Sequence, residues 1–230
     1  MKPKISGRQL KKKVFELLQL PDFRTSIQEL CRFPYRQVVN PLFSFLYSLD
    51  DSIKWRAVSA MGAVLACLAE ENMESARIVM RRFIWNLNDE SGGIGWGSPE
   101  AMGETMALSE ALANEYAAIL VSYIRPEGNY LEHEDLQVGV LWGVGRLAHA
   151  RPQHVADAAA YLNAYMESDR PTLRGLAAWA AIALPTARTY AGIQALQNDK
   201  ADITIYRDGS IEVFRISNLV ADVRPPGTNR

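Results

Sequence analysis

Cysteine, histidine and an excess of charge of one sign are what this 230-residue sequence has least of. Its two cysteines, Cys31 and Cys67, stand far apart within apolar helical patterns. That excludes a disulfide framework and predicts two buried free thiols in an intracellular, reducing, cytoplasmic setting. Lysine and arginine number 25 against 26 aspartates and glutamates, a formal net charge of -1. Nucleic acid and anionic membrane both call for a concentrated basic face, so neither is expected as a partner. The nearest thing to one is Lys11-Lys12-Lys13 with Lys2, Lys4 and Arg8, and adjacent lysines on a helix point in different directions.

Long apolar runs are missing too. None approaches the roughly 20 residues that cross a bilayer, and the basic amino terminus lacks the apolar stretch and cleavage site of a signal peptide. The three histidines form no zincin helix, because His133-Glu134 is not followed by a second histidine four residues on. His149 and His154 flank Pro152, which predicts capping or solvated roles, and a cation site at Glu132-His133-Glu134-Asp135 stays open. Gly92-Gly93-Ile94-Gly95-Trp96-Gly97 has no Lys-Ser/Thr ending and no strand before it, so it is neither a Walker loop nor a dinucleotide fingerprint. No cofactor, no metal and no catalytic residue is assigned.

What remains is ordinary for a packed core: 48% hydrophobic and 22% charged residues. Apolar spacing is helical almost throughout. Ser6 caps a helix with the stripe Leu10, Val14, Leu17 and Leu18, and Phe23, Ile27 and Leu30 begin another. Val38, Leu42, Phe45, Leu46 and Leu49 mark the next, with Pro41 expected in a first turn. Asp50-Asp51-Ser52 caps a helix bearing Ala57, Ala60, Met61, Val64 and Leu68, and Met73 to Leu87 form another. Further helices are predicted over 98–112, 114–125, 133–149, 153–166, 171–184 and 186–197. Ile203 and Ile205 then alternate with Thr204 and Tyr206, and Asp208-Gly209 predicts a two-residue β-hairpin turn.

The helices repeat. Trp55, Ala60, Met61 and Gly62 recur as Trp96, Ala101, Met102 and Gly103. Gly143 and Gly145 after Trp142, then Ala178 and Ala180 around Trp179, continue the series. Small residues two apart imply helices that pack too closely for large side chains, as in a two-helix solenoid. Asp50-Asp51 with Trp55-Arg56, Ser59-Ala60 and Gly62 resembles the HEAT repeat, especially the HEAT-like repeats of phycobilisome lyases, and Asp169 with Leu173-Arg174 and Ala177-Ala178 is similar. The run from Trp85 to Gly97 also resembles a small bacterial family of such proteins. The resemblance covers about 37–197. It implies an all-α, armadillo-type fold: an α-α superhelix (HEAT-like solenoid), here with a small C-terminal β-hairpin. The organisation expected is one domain over 1–222, with repeats at about 37–87, 83–125, 130–166 and 169–197. The hairpin at 202–216 caps the end of the array, and 223–230 form a flexible tail.

The outer repeats keep Arg56 and Arg174, where the resemblance implies pairing with loop aspartates; the middle ones have Gly97 and Gly139 instead. Four glycines between 92 and 97 imply unusual backbone angles or close approach. Such a breach of a repeat's own rules is where function is expected. Asp89 and Glu90 precede the glycines, Trp85 and Trp96 flank them, and Ser98-Pro99 reads as helix cap and first position. Glu100 and Glu104 then lie one turn apart. Glu100 reads as helix-end electrostatics and Glu104 as a solvated face, or both belong to a cleft. In the cleft, Asn88, Asp89, Glu90, Glu100 and Glu104 face a cation, a basic peptide or an amine, and Trp96 and Trp142 form a wall; tryptophans at these spacings are more often core, which is the other reading of both. The function expected is a non-enzymatic binding scaffold for a protein segment or small ligand. A lyase-like or cofactor-handling enzyme or chaperone, as the resemblance allows, and a structural homodimer are the alternatives.

Overall fold

The computed structural model describes residues 6–88 and 95–227. Its first helix, α1 (Gly7–Gln19), starts where Ser6 and Gln9 cap each other reciprocally, and it buries Leu10, Val14, Leu17 and Leu18. Asp22 caps α2 (Phe23–Leu30) by accepting from the Thr25 amide. Next comes α3 (Tyr35–Leu46), and Pro41 sits in its interior rather than in its first turn. The missing N–H costs a helical hydrogen bond, and Pro41 is buried like its neighbours Leu42 and Phe43.

Asp50 accepts from the Ile53 amide to open α4 (Asp51–Glu71), followed after Asn72 by α5 (Met73–Asn88) and then α6 (Ser98–Leu108). The helix expected over 98–112 stops early. Ser109 is extended, its hydroxyl accepts from the Leu112 amide, and α7 (Glu110–Ser122) begins there. His133 caps α8 (Glu134–Ala150). Two 3-10 turns, Pro152–His154 and Ala156–Ala158, precede α9 (Ala159–Met166), where a single helix from 153 was expected. The Pro152 ring sets the first of these turns. Then come α10 (Pro171–Ile182), α11 (Ala187–Ala195), β1 (Asp202–Arg207), β2 (Ser210–Arg215) and α12 (Ile216–Val220), the last not foreseen.

The described residues are therefore helical but for one antiparallel hairpin, in register Ile203 to Phe214 and Ile205 to Glu212. At the turn Asp208 and Gly209 both have positive φ, 52° and 84°, as its sequence requires.

Packing divides the chain into two compact units, residues 1–112 and 113–230, the division falling inside α7. In the first unit α4 is central, packing on α3, α5 and α6. Each large side chain it buries, such as Met61, Leu65 and Leu68, contributes about 1.5–3 kcal/mol. This helix of 21 residues is long and apolar enough to cross a membrane by length and composition, which a search for unbroken apolar runs misses; 61% of its apolar window is buried.

In the second unit α10 is central, packing on α8, α9, α11, α12 and β1. The small-residue helices indeed lie side by side. A Cβ on Gly62 of α4 would come within 2.5 Å of the Glu104 side chain on α6, and one on Gly145 of α8 within 2.5 Å of the Trp179 ring on α10. Ile203 of the hairpin lies over Gly175 of α10, so the hairpin packs on the last of these helices.

Candidate functional site

The glycine-rich stretch needs its glycines at the two described positions beside the helix start. A Cβ at Gly95 would come within 2.9 Å of the Asn86 carbonyl oxygen. Gly97 has φ 74° and lies against the Leu46 backbone, so the left-handed conformation and the close approach both demand glycine. Gly97, not Ser98, is the N-cap of α6, one residue earlier than the sequence suggests. The Ser98 amide closes a turn onto the Gly95 carbonyl at 3.0 Å. Its hydroxyl, freed from capping, is buried without a hydrogen-bond partner.

From Ser98 to Ala107 every residue of α6 is buried, carboxylates included. Glu100 is 5% exposed and Glu104 8%. Glu104 is thus not on a solvated face; it lies against Gly62 on α4. Glu100 meets Lys54 of α4 at 3.0 Å. The Glu100 charge, opposing desolvation, holds the Lys54 ammonium above its usual pKa. Lys54 before Gly62, and Glu100 before Glu104, means that α4 and α6 run in the same direction, as equivalent helices of neighbouring repeats should. The other oxygen of Glu100, Oε2, is buried without a hydrogen-bond partner, as is Thr105 Oγ1. Ser98 and Thr105, seven residues apart, share one side of α6, and Glu100 lies on the other.

The remaining expected residues are dispersed. Asn88 is exposed at the end of α5, and Trp96 is half-buried just before α6. Asp89 and Glu90, like Gly92 and Gly93, lie outside the described residues. Trp142 sits in the core of the second unit, its ring 6.2 Å from that of Trp179 and its Nε1 donating to the Tyr206 carbonyl at 3.0 Å. Its ring faces these core partners and not solvent.

The charges outside this stretch tie the units internally. Arg56 donates to the Leu18 and Leu20 carbonyls at 2.8 and 2.7 Å, taking main-chain oxygens rather than the loop aspartates. Arg174 binds Asp199 at 2.9 Å as well as the Ser168 and Asp169 carbonyls. Glu134 and Asp135 of the open cation motif are both taken by Arg170, at 2.9 and 2.8 Å. Among the described residues no group of three or more histidine, cysteine, aspartate or glutamate side chains is placed to hold a metal ion. His149 stacks on Trp179, and burial holds its pKa below the usual imidazole value. Cys31 and Cys67, distant in sequence, bring their sulfurs to 3.8 Å.

Sequence reasoning missed a groove of about 220 Å³ in the first unit, between α3 and α5. Its floor is apolar, formed by buried Val39, Leu68 and Val79. Arg36, Asn40, Ser75, Ile78 and Arg82 also line it. Arg36 donates to the Ser75 hydroxyl, and Arg82 donates to Asn40 Oδ1 at 2.6 Å while lying 3.8 Å above the Phe43 ring. Ile78 is 57% exposed and Trp85 72%. At i, i+4 and i+7, residues 78, 82 and 85 make one outward stripe of α5, opposite its buried Ala76, Met80, Phe83 and Leu87. The signal was in the sequence: an isoleucine and a tryptophan fall outside the core period of this helix.

No family profile matches the sequence, and no curated protein is similar to it. Solved structures do resemble it. A designed armadillo repeat protein aligns over 92% of this chain and 97% of its own, with 12% identity and a TM-score of 0.49. A designed armadillo repeat protein in complex with the peptide (KR)4 covers 84% and 93%, at 14% identity and a TM-score of 0.48. A HEAT-like repeats protein from the archaeon Thermococcus onnurineus NA1 covers 96% and 80%, at 14% identity and a TM-score of 0.39. The helical-repeat architecture of the chain stands on its own packing, of α4 on α6 and of α8 on α10.

Proposed function

We propose that this protein is a non-enzymatic binding scaffold that takes up a segment of a partner protein. The observation that carries the reading is the open α3–α5 groove, with exposed Ile78 in its lining and exposed Trp85 on the same stripe of α5. Small-molecule sites run to about 300–1,000 Å³ and enclose most of their ligand. At about 220 Å³ the groove suits anchoring side chains of a larger partner instead. Apolar anchors at helical spacing laid into such a groove are a recurrent mode of segment recognition.

The test uses an 18-residue helical peptide with leucines at i, i+3, i+4 and i+7 and glutamine elsewhere, titrated while fluorescence is followed. Trp85→Phe identifies that tryptophan's part of the signal. Saturable binding that is lost in Ile78→Asp, with the melting temperature unchanged, supports the reading. Absence of binding up to millimolar peptide sinks it.

A second reading keeps the acidic stretch as the site, with Asn88, Asp89, Glu90, Trp96, Glu100 and Glu104 receiving a donor-bearing small ligand. Buried Glu100 Oε2, with no hydrogen-bond partner, favours it, since such an atom costs about 1–3 kcal/mol. Calorimetric titration with a diamine such as putrescine decides: heat that disappears in Glu100→Gln supports this site, and no heat removes it.

A further inference from the structure

We infer that the segment taken up by the α3–α5 groove is acidic: an amphipathic helix with apolar anchors on one side and carboxylates flanking them. The inference deepens the segment-binding reading of that groove and rests on it. Its ground is charge. Glu74, at the start of α5, is engaged by Arg77 at 3.6 Å and by Arg81 at 2.6 Å. Arg36 and Arg82 have only neutral partners, the Ser75 hydroxyl and the Asn40 amide oxygen, and neither meets a carboxylate among the described residues. Two guanidinium groups thus border an apolar floor with their charge uncompensated, in a protein whose net charge is -1.

Each guanidinium carries five N–H donors and uses one or two of them on its neutral neighbour. The rest suit carboxylate, which a planar fork binds in a bidentate manner. Arg82 is held in place by the Phe43 ring beneath it, so less side-chain freedom is lost on binding. The stripe Ile78–Arg82–Trp85 rises about 10 Å along α5, the length of two helical turns. A partner helix can therefore set one apolar anchor between Ile78 and Val79, pack another on Trp85, and place carboxylates near Arg36 and Arg82. A basic segment meets like charge here, and two arginines are too few for the phosphate ladder of a nucleic acid.

The experiment compares three 18-residue peptides that share the leucine stripe and carry glutamine, glutamate or lysine at the polar positions. Through two new carboxylate–arginine ion pairs, the glutamate peptide is expected to bind about tenfold more tightly than the glutamine one, and the lysine peptide more weakly than either. Raising salt to 1 M should erase the advantage. Arg36→Gln with Arg82→Gln should abolish it, bringing the glutamate peptide's affinity level with the glutamine peptide's in the same variant. Equal affinity for the glutamate and glutamine peptides overturns the acidic partner and leaves the scaffold standing. Failure of all three peptides to bind overturns the scaffold itself. Phosphatidylserine vesicles that compete with the glutamate peptide and depend on the same two arginines would overturn the acidic segment in favour of an anionic membrane surface.

Discussion

At the residue scale, backbone geometry and buried charge set the strictest demands. Gly97 needs both its left-handed conformation and its contact with Leu46, where a Cβ would come within 2.9 Å. Gly97→Ala is expected to destabilise the protein by about 1–2 kcal/mol through the backbone alone, read as a lower denaturation midpoint in guanidinium; an unchanged midpoint removes the argument. The Lys54–Glu100 pair has a sign that pH reveals. Lys54 is raised above its unfolded value, first by the Glu100 charge, so the folded state holds its proton more tightly. The stabilisation is fully present below the unfolded pKa of about 10.4, and it fades as pH rises through the higher folded value. The stability gap between wild type and Glu100→Gln should be constant from neutral pH to mildly alkaline, and should narrow beyond that. A gap that widens at high pH contradicts the pairing.

At the element scale, the folded chain brings the end of α2 to the last third of α4. Cys31 and Cys67, 36 residues apart, meet there at 3.8 Å, both half-buried. Burial, then the neighbouring Cys67, pushes the Cys31 thiol up to about 12, against about 8.5 for a free cysteine. Its thiolate fraction at neutral pH is therefore tiny. Alkylation of Cys31 by iodoacetamide at pH 7.5 should run at least about a hundredfold slower than in the urea-unfolded chain; peptide mass mapping measures it, and equal rates refute the burial argument. The same scale explains Pro41. A first-turn position was expected because a proline N–H is dispensable there, but Pro41 stands inside α3 and is buried, so the helix continues past one lost backbone bond.

At the scale of the whole molecule, each unit is built around one small-residue helix pressed on its equivalent. Nearest-neighbour packing of this kind makes stability local. Gly145→Leu would drive a side chain into the Trp179 ring, a rigid obstacle, at a cost of about 1–3 kcal/mol. Hydrogen exchange should then quicken in α8 and α10 of the second unit, with protection in α4 and α6 of the first unit retained. A uniform loss across both units would show that the repeats unfold as one.

Much of this was legible in the residues themselves. Helical period, the caps at Ser6 and Asp50, the Asp208-Gly209 turn and the recurring small residues depend on local backbone preference and on the spacing of apolar side chains, and sequence carries both. Need for glycine at Gly95 and Gly97 was readable for the same reason. What each polar group meets was not. Glu104 was open between a solvated face and a cleft because helical position tells which residues share a side, not what covers that side; Gly62 of α4 lies against it. Between cleft wall and core the sequence left Trp142 open, and the structure makes it core: the Tyr206 carbonyl that satisfies its N–H comes from a strand 64 residues away. The approach of Cys31 to Cys67, the pairing of Lys54 with Glu100 and the groove between Arg36 and Arg82 all join residues distant in sequence. Only tertiary packing decides such contacts, because burial and charge pairing depend on distance in space and leave no period along the chain.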